Sequence, residues 1–201
     1  MKLASYADGS RDGHLVVVSR DLTQAHYASG IASRMQQLLD DWGFIAPQLQ
    51  DLSVQLNHGK LRHAFPFDPT KCMAPLPRPH GWAVVDGEGG VRREAGHLLG
   101  ACQPLRAAAA CGPALMLIAG DLPAASDAAA ALDALRLLGL ALDWRVDGEL
   151  VATQAAPVVV TPDELGDAWR AGRLQARLVT LHNGAKLAPA DVAVAPSDAL
   201  V

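Results

Sequence analysis

The feature that most constrains the fold of this chain is a proline-dense stretch, Ala64-Phe65-Pro66-Phe67-Asp68-Pro69 followed by Ala74-Pro75-Leu76-Pro77-Arg78-Pro79. Proline fixes φ, removes a backbone donor and biases the residue before it away from the helix, so no regular helix or central strand runs through these positions. The stretch therefore reads as an extended junction, and it divides the chain into residues 1–72, a junction at 73–80 and residues 81–201. A length of 201 residues, 50% hydrophobic and 19% charged, suffices for one substantial core or two small ones.

Before the junction, Leu3 to Tyr6 and Leu15 to Ser19 are β-prone runs around Asp8-Gly9-Ser10-Arg11-Asp12-Gly13, whose glycines permit the positive φ of tight turns. A third strand is expected at His26 to Ala28. Ser33 offers a cap to a helix carrying Met35, Leu38, Leu39 and Trp42, and a second helix is expected from Pro47 to Asn57 with Leu49, Leu52 and Leu56 on one face. After the junction, the pattern predicts a strand from Ala114 to Ala119. A helix capped by Ser126 is expected to run to Leu138, followed by a sheet around Leu140 to Val146. Val158 to Val160 forms a short strand. Thr161, Pro162 and Glu164 compose a capping-box start, and Asn183-Gly184 is the turn of a hairpin spanning Arg177 to Leu187.

A formal net charge of -4 without a basic stripe argues against nucleic acid as the main partner. No run reaches the roughly 18 apolar residues that a membrane span needs, and a cytoplasmic setting is the default expectation. Cys72, Cys102 and Cys111 have neither zinc-site spacing nor a disulfide framework, and they are expected to be reduced, buried or incidental.

Residues 1–78, from the DGSRDG turn to the CMAPLPR phrase, resemble the amino-terminal part of bacterial fumarylacetoacetate hydrolase family proteins. The resemblance implies an α+β, β-rich fold, in which a small amino-terminal β module with helices precedes a mixed β domain, here shortened. It also implies an enzyme that hydrolyses carbon–carbon bonds in diketo acids, in tyrosine and aromatic degradation. Such chemistry calls for activated water and a stabilised enolate, which a hard cation, Mg2+ or Ca2+, supplies through carboxylate ligands beside a histidine base. Family members carry a Glu-x-Glu pair, a later aspartate, an upstream aspartate, a lysine and a histidine oriented by a glutamate.

Along the resemblance, Leu115 to Pro123 matches the strand and turn that follow Glu-x-Glu, which places Gly112 and Ala114 where the glutamates stand. Asp143 matches the later metal aspartate and is its remnant, with Leu142 where many members have asparagine. The lysine is missing. His80 and His97, with Glu88 or Glu94 nearby, match no lid phrase, and exposed turn positions are the simpler reading of them. The expectation is a family scaffold with impaired catalysis, no confident catalytic residue and no cofactor. Alternatives are an active hydrolase, decarboxylase or isomerase with a site rebuilt from Asp86, Glu88, Glu94, Asp121 or Asp143, or a binder of acidic ligands using Arg78, Arg92 or Arg93. The family also implies a homodimer, and the closing strands absent before Val201 suggest association with a full-length member through exposed edges.

Overall fold

Strands buried on both faces read as near-continuous apolar runs, as Leu15 to Val18 do, with Ser5 the buried polar exception in the first strand. β1 (Lys2–Tyr6) is buried from Leu3 onward and β2 (His14–Val18) from Leu15 onward. They pair antiparallel, from Lys2 opposite Val18 to Tyr6 opposite His14. The computed structural model describes residues 1–85, 90–93, 98–105, 110–123, 126–186, 189–196 and 200. β3 (Gln24–Tyr27) adds to β2.

Two helices cover one face of these strands, α1 (Met35–Asp40) and α2 (Trp42–Asn57). Met35, Leu38, Leu49 and Leu56 pack there against Leu3, Leu15 and Val17. Full burial of such a side chain is worth about 1.5–3 kcal/mol. Two expectations are corrected. Arg34, not Ser33, is the N-cap of α1, because the Gln37 side chain reaches back to the backbone N–H of both Ser33 and Arg34. α2 starts at Trp42, five residues before Pro47, and tolerates that proline near its amino-terminal end.

The opposite face is closed by the proline-dense stretch itself. β4 (Phe65–Pro66) pairs with β3. The Phe67 ring stacks on Tyr6 at 5.9 Å, and the Tyr6 hydroxyl accepts from the Asp68 N–H at 2.7 Å. Ser5 Oγ donates to the Pro75 carbonyl at 2.6 Å. The junction is therefore bonded to the sheet along much of its length.

Beyond it come β5 (Trp82–Val85), β6 (Gly90–Arg93), β7 (Leu98–Gly100) and β8 (Ala110–Ala119). α3 (Ala128–Ala134) then leads to the two longest strands, β9 (Leu135–Val146) and β10 (Glu149–Val160). The main sheet has the order β4-β3-β2-β1-β10-β9-β8, with β7 parallel to β10. Lys2 and Leu3 pair with Val160 and Val159, so one sheet joins strands from before and after the junction. Pro113 is accommodated because β8 lies at the sheet edge.

The helix expected over 126–138 is shorter. Asp127 caps it by accepting from the Ala130 N–H at 2.8 Å, whereas Ser126 Oγ donates to Pro123. Leu135 to Leu138 belong to β9, because pairing with Leu117 to Ala119 and burial of Leu135, Leu137 and Leu138 outweigh another helical turn. The Thr161 capping box also does not form. Thr161 Oγ1 accepts from the Met1 amino group at 2.6 Å, and a 3-10 helix, Pro162–Ala168, follows.

β11 (Trp169–Arg170), β12 (Arg173–Leu178) and β15 (Ala190–Val194) form a smaller sheet around the expected hairpin, β13 (Leu181–His182) and β14 (Ala185–Lys186). Asn183 and Gly184 have φ of 50° and 80°, the type I′ pattern. The hairpin is shorter than expected, since Arg177 and Leu178 belong to β12. Among the described residues no helix is long and apolar enough to cross a membrane.

Candidate functional site

Directly opposed residues on neighbouring antiparallel strands present side chains to the same face. Asp143 on β9 opposes Gly112 on β8 and Thr153 on β10. The next row on this face is Ala114, Ala141 and Ala155. The two positions where the resemblance places glutamates therefore stand on β8 beside Asp143, Gly112 directly opposite it and Ala114 in the next row. They carry a hydrogen and a methyl group.

Asp143 is half-buried, and its Oδ1 accepts from the Thr153 hydroxyl at 2.6 Å. Thr153 is 7% exposed and spends its donor on this bond. A magnesium, calcium or manganese ion takes about six or more oxygen ligands, several from the protein. Among the described residues this face offers one carboxylate and one hydroxyl. Among the described residues no three His, Cys, Asp or Glu side chains gather to hold a metal ion. Among the described residues, the donors on this face fall short of the set a divalent cation takes.

The other candidates lie elsewhere. Asp121 is nine residues past Gly112, roughly 30 Å along the chain at a strand's rise, and exposed. His80 is exposed. Arg78 is held by Asp12, whose Oδ1 accepts from Arg78 Nε at 2.7 Å. That bond holds the Asp12 carboxyl below its ordinary range and raises the Arg78 guanidinium. Arg78 is thus paired with Asp12, while 55% of its side chain remains exposed. Asp86, Glu88, Glu94 and His97 lie outside the described residues, as do the side chains of Arg92 and Arg93 on β6.

A groove of about 270 Å³ lies on the reverse of the same strands, lined among others by Pro113, Leu140, Leu142, Gln154, Leu178 and Leu181. The Gln154 side chain that lines it is fully used. Gln154 Oε1 accepts from Trp144 Nε1 at 3.2 Å, and Nε2 donates to the carbonyls of Ala101 and Gln103 at 2.9 and 3.0 Å. A smaller cavity of about 180 Å³ lies over the Asp12–Arg78 pair, beside Met35 and Leu76. Neither Thr153 nor Gln154 was singled out from the sequence. Both sit inside a β-prone run, and only the pairing with β9 brings Thr153 to Asp143.

Residues 1–78 match the family model described as fumarylacetoacetase N-terminal domain 2. No curated protein matches the chain in sequence. Among solved structures, the chain is similar to maleylpyruvate hydrolase from Sphingobium sp. SYK-6, with a TM-score of 0.68 at 18% identity over 95% of this chain and 76% of that one. The same hydrolase in complex with manganese(II) and pyruvate gives 0.67 at 17% identity, over 95% and 76%. A Mycobacterium smegmatis protein described as HpcE gives 0.59 at 14%, over 95% and 75%. At these identities the likeness establishes a common fold, the β-rich α+β fold expected from the sequence.

Proposed function

We propose that the chain, whose residues 1–78 match the fumarylacetoacetase N-terminal domain 2 model, is a scaffold of this family without metal-dependent carbon–carbon bond hydrolysis. Residues 81–201 are, in this reading, the segment that bears the chemistry in active members and has lost it here. The observation that carries the proposal is the row Gly112, Asp143 and Thr153. The resemblance places the family's glutamate pair on β8 at this register, and the residues there, Gly112 and Ala114, have no side-chain oxygen. The role that remains is that of a structural or regulatory partner in diketo acid breakdown, acting as a homodimer or beside a full-length family member.

Supporting the metal argument, the related maleylpyruvate hydrolase has been crystallised with manganese(II) and pyruvate. Carboxylates in such a site place the cation, and the cation takes up the charge of the departing enolate. In this chain Thr153 orients the Asp143 carboxylate within the sheet, and no partner carboxylate opposes it. No hydrolytic step follows from that arrangement.

The test is isothermal titration of the chelator-stripped protein with magnesium, calcium and manganese, followed by an acylpyruvate hydrolysis assay on the same sample. The expected result is neither saturable binding nor turnover. The double variant Gly112→Glu/Ala114→Glu should gain manganese binding with a dissociation constant below about 1 mM, the weak end for carboxylate sites. Turnover by the unaltered chain that disappears in Asp143→Ala would overturn the proposal in favour of an active hydrolase with a rebuilt site.

A further inference from the structure

Two cysteines that the sequence leaves 30 positions apart converge on a single backbone carbonyl. Cys72 ends the short 3-10 turn Pro69–Lys71, where Asp68 Oδ1 accepts from the Thr70 N–H at 3.0 Å and the Cys72 N–H donates to the Pro69 carbonyl at 3.2 Å. Cys102 lies in the turn after β7, which is closed by the Gln103 N–H donating to the Gly100 carbonyl at 3.0 Å. The Cys102 thiol points at the same Pro69 oxygen, at 3.9 Å. The Cys102 sulfur is thus within about 7 Å of the Cys72 backbone nitrogen, which places the two residues side by side.

A second observation fixes the two segments against each other. A Cβ on Gly100 would stand 2.9 Å from Ala74 N and from the Met73 carbonyl carbon, so the β7 turn rests on the backbone that follows Cys72. Gln154 holds the same turn from β10 through the Ala101 and Gln103 carbonyls.

We propose that Cys72 and Cys102 form a peroxide-driven intramolecular disulfide, a modification site that joins the junction to the β7 turn. The two thiols differ in a way that sets the order of events. Cys102 is exposed and meets the oxidant first. Cys72 is buried away from the oxidant, so it enters second, and burial, reinforced by the neighbouring Cys102 and Asp68, pushes its thiol up to about 12, which makes its step the slow one. The Cys102 sulfur attacks a hydroperoxide. An S–O bond forms, the O–O bond breaks, and the departing oxygen leaves as water or alcohol. The Cys72 sulfur then attacks the Cys102 sulfenic sulfur, forming the S–S bond and breaking the S–O bond, with water leaving and taking up the Cys72 proton. Two thiols are oxidised and one hydroperoxide is reduced. The inference is independent of whether the chain hydrolyses anything.

The experiment treats the full chain with hydrogen peroxide, blocks residual thiols, and analyses intact mass and non-reduced peptides. The expected result is a monomer lighter by about 2 Da, with Cys72 and Cys102 in one cross-linked peptide that thiol reductant separates. Cys111→Ser should retain the cross-link, and the exposed-site variant Cys102→Ser should reduce it at least tenfold without altering the circular dichroism spectrum. Cys72→Ala should convert the product to sulfinic or sulfonic acid at Cys102. Over-oxidation of Cys102 in the unaltered chain without a cross-link, or a cross-link that joins two molecules, overturns the proposal.

Discussion

Replacing Leu137 by alanine tests whether the chain has one core or two. Leu137 lies on β9, beyond the proline-dense junction, yet it is 0% exposed and belongs to the same apolar cluster as Leu3, Leu15, Met35, Leu38 and Leu49 from before the junction. β8 and β10 flank it on both sides, so the backbone around the deleted atoms has little room to collapse. Leu→Ala costs run from about 2.7 to 5 kcal/mol depending on the cavity that remains, and this setting points to roughly 3–4 kcal/mol. With a urea m-value of about 2 kcal/mol/M, the midpoint should fall by about 1.5–2 M. Two single-tryptophan backgrounds provide the readout. Trp42 reports from α2, where the Arg136 guanidinium lies 5.5 Å from its ring centre, and Trp144 reports from β9. Both reporters should show one transition and shift together. A Trp42 midpoint that stays in place while the Trp144 midpoint falls would refute the shared core.

Three further outcomes follow from single contacts. Gly13→Ala introduces a Cβ at φ +67°, 2.6 Å from the Tyr6 carbonyl oxygen, and should lower stability in urea unfolding by about 2–4 kcal/mol. The Glu164 side chain is 6% exposed and meets both the Met1 amino group at 3.3 Å and Arg20 at 3.0 Å, so Glu164→Gln should cost about 1–3 kcal/mol by the same measurement. Asp8 is held well below its ordinary range by Ser10 and then Arg34, and Asp12 is lowered by Arg78. A carboxyl depressed in the folded state contributes stability that is whole above the unfolded value near 3.9 and is lost as pH falls toward the folded one. Urea midpoints should therefore decline below about pH 4, and Arg34→Gln/Arg78→Gln should flatten that decline.

Local signals were legible wherever a few adjacent residues decide the structure. The glycine-bearing turn between β1 and β2, the apolar faces of α1 and α2 and the Asn183-Gly184 turn all follow from spacing and turn chemistry. What was not legible depends on distant partners. The alanine-rich segment looked helical to Leu138, but its last four residues gain more from pairing with β8. Thr161 has the sequence of a cap, but its hydroxyl meets an amino group 160 residues away. The same holds at the candidate site. Asp143, Gly112 and Ala114 were placed by resemblance, whereas the bond to Thr153 required the β9–β10 register, which no local pattern encodes.

The pairing of Lys2 and Leu3 with Val160 and Val159 also governs how the chain reaches its fold. One edge of β1 has no partner until β10 has been synthesised, so a nascent amino-terminal half presents an open, apolar strand edge for most of translation. Contacts of such sequence separation demand loop closure before they stabilise anything, which slows folding and prolongs exposure. An isolated 1–78 fragment should accordingly be prone to self-association through β1. In the cell the same open edge would be a point of chaperone engagement during synthesis, and arrival of β10 would end that dependence.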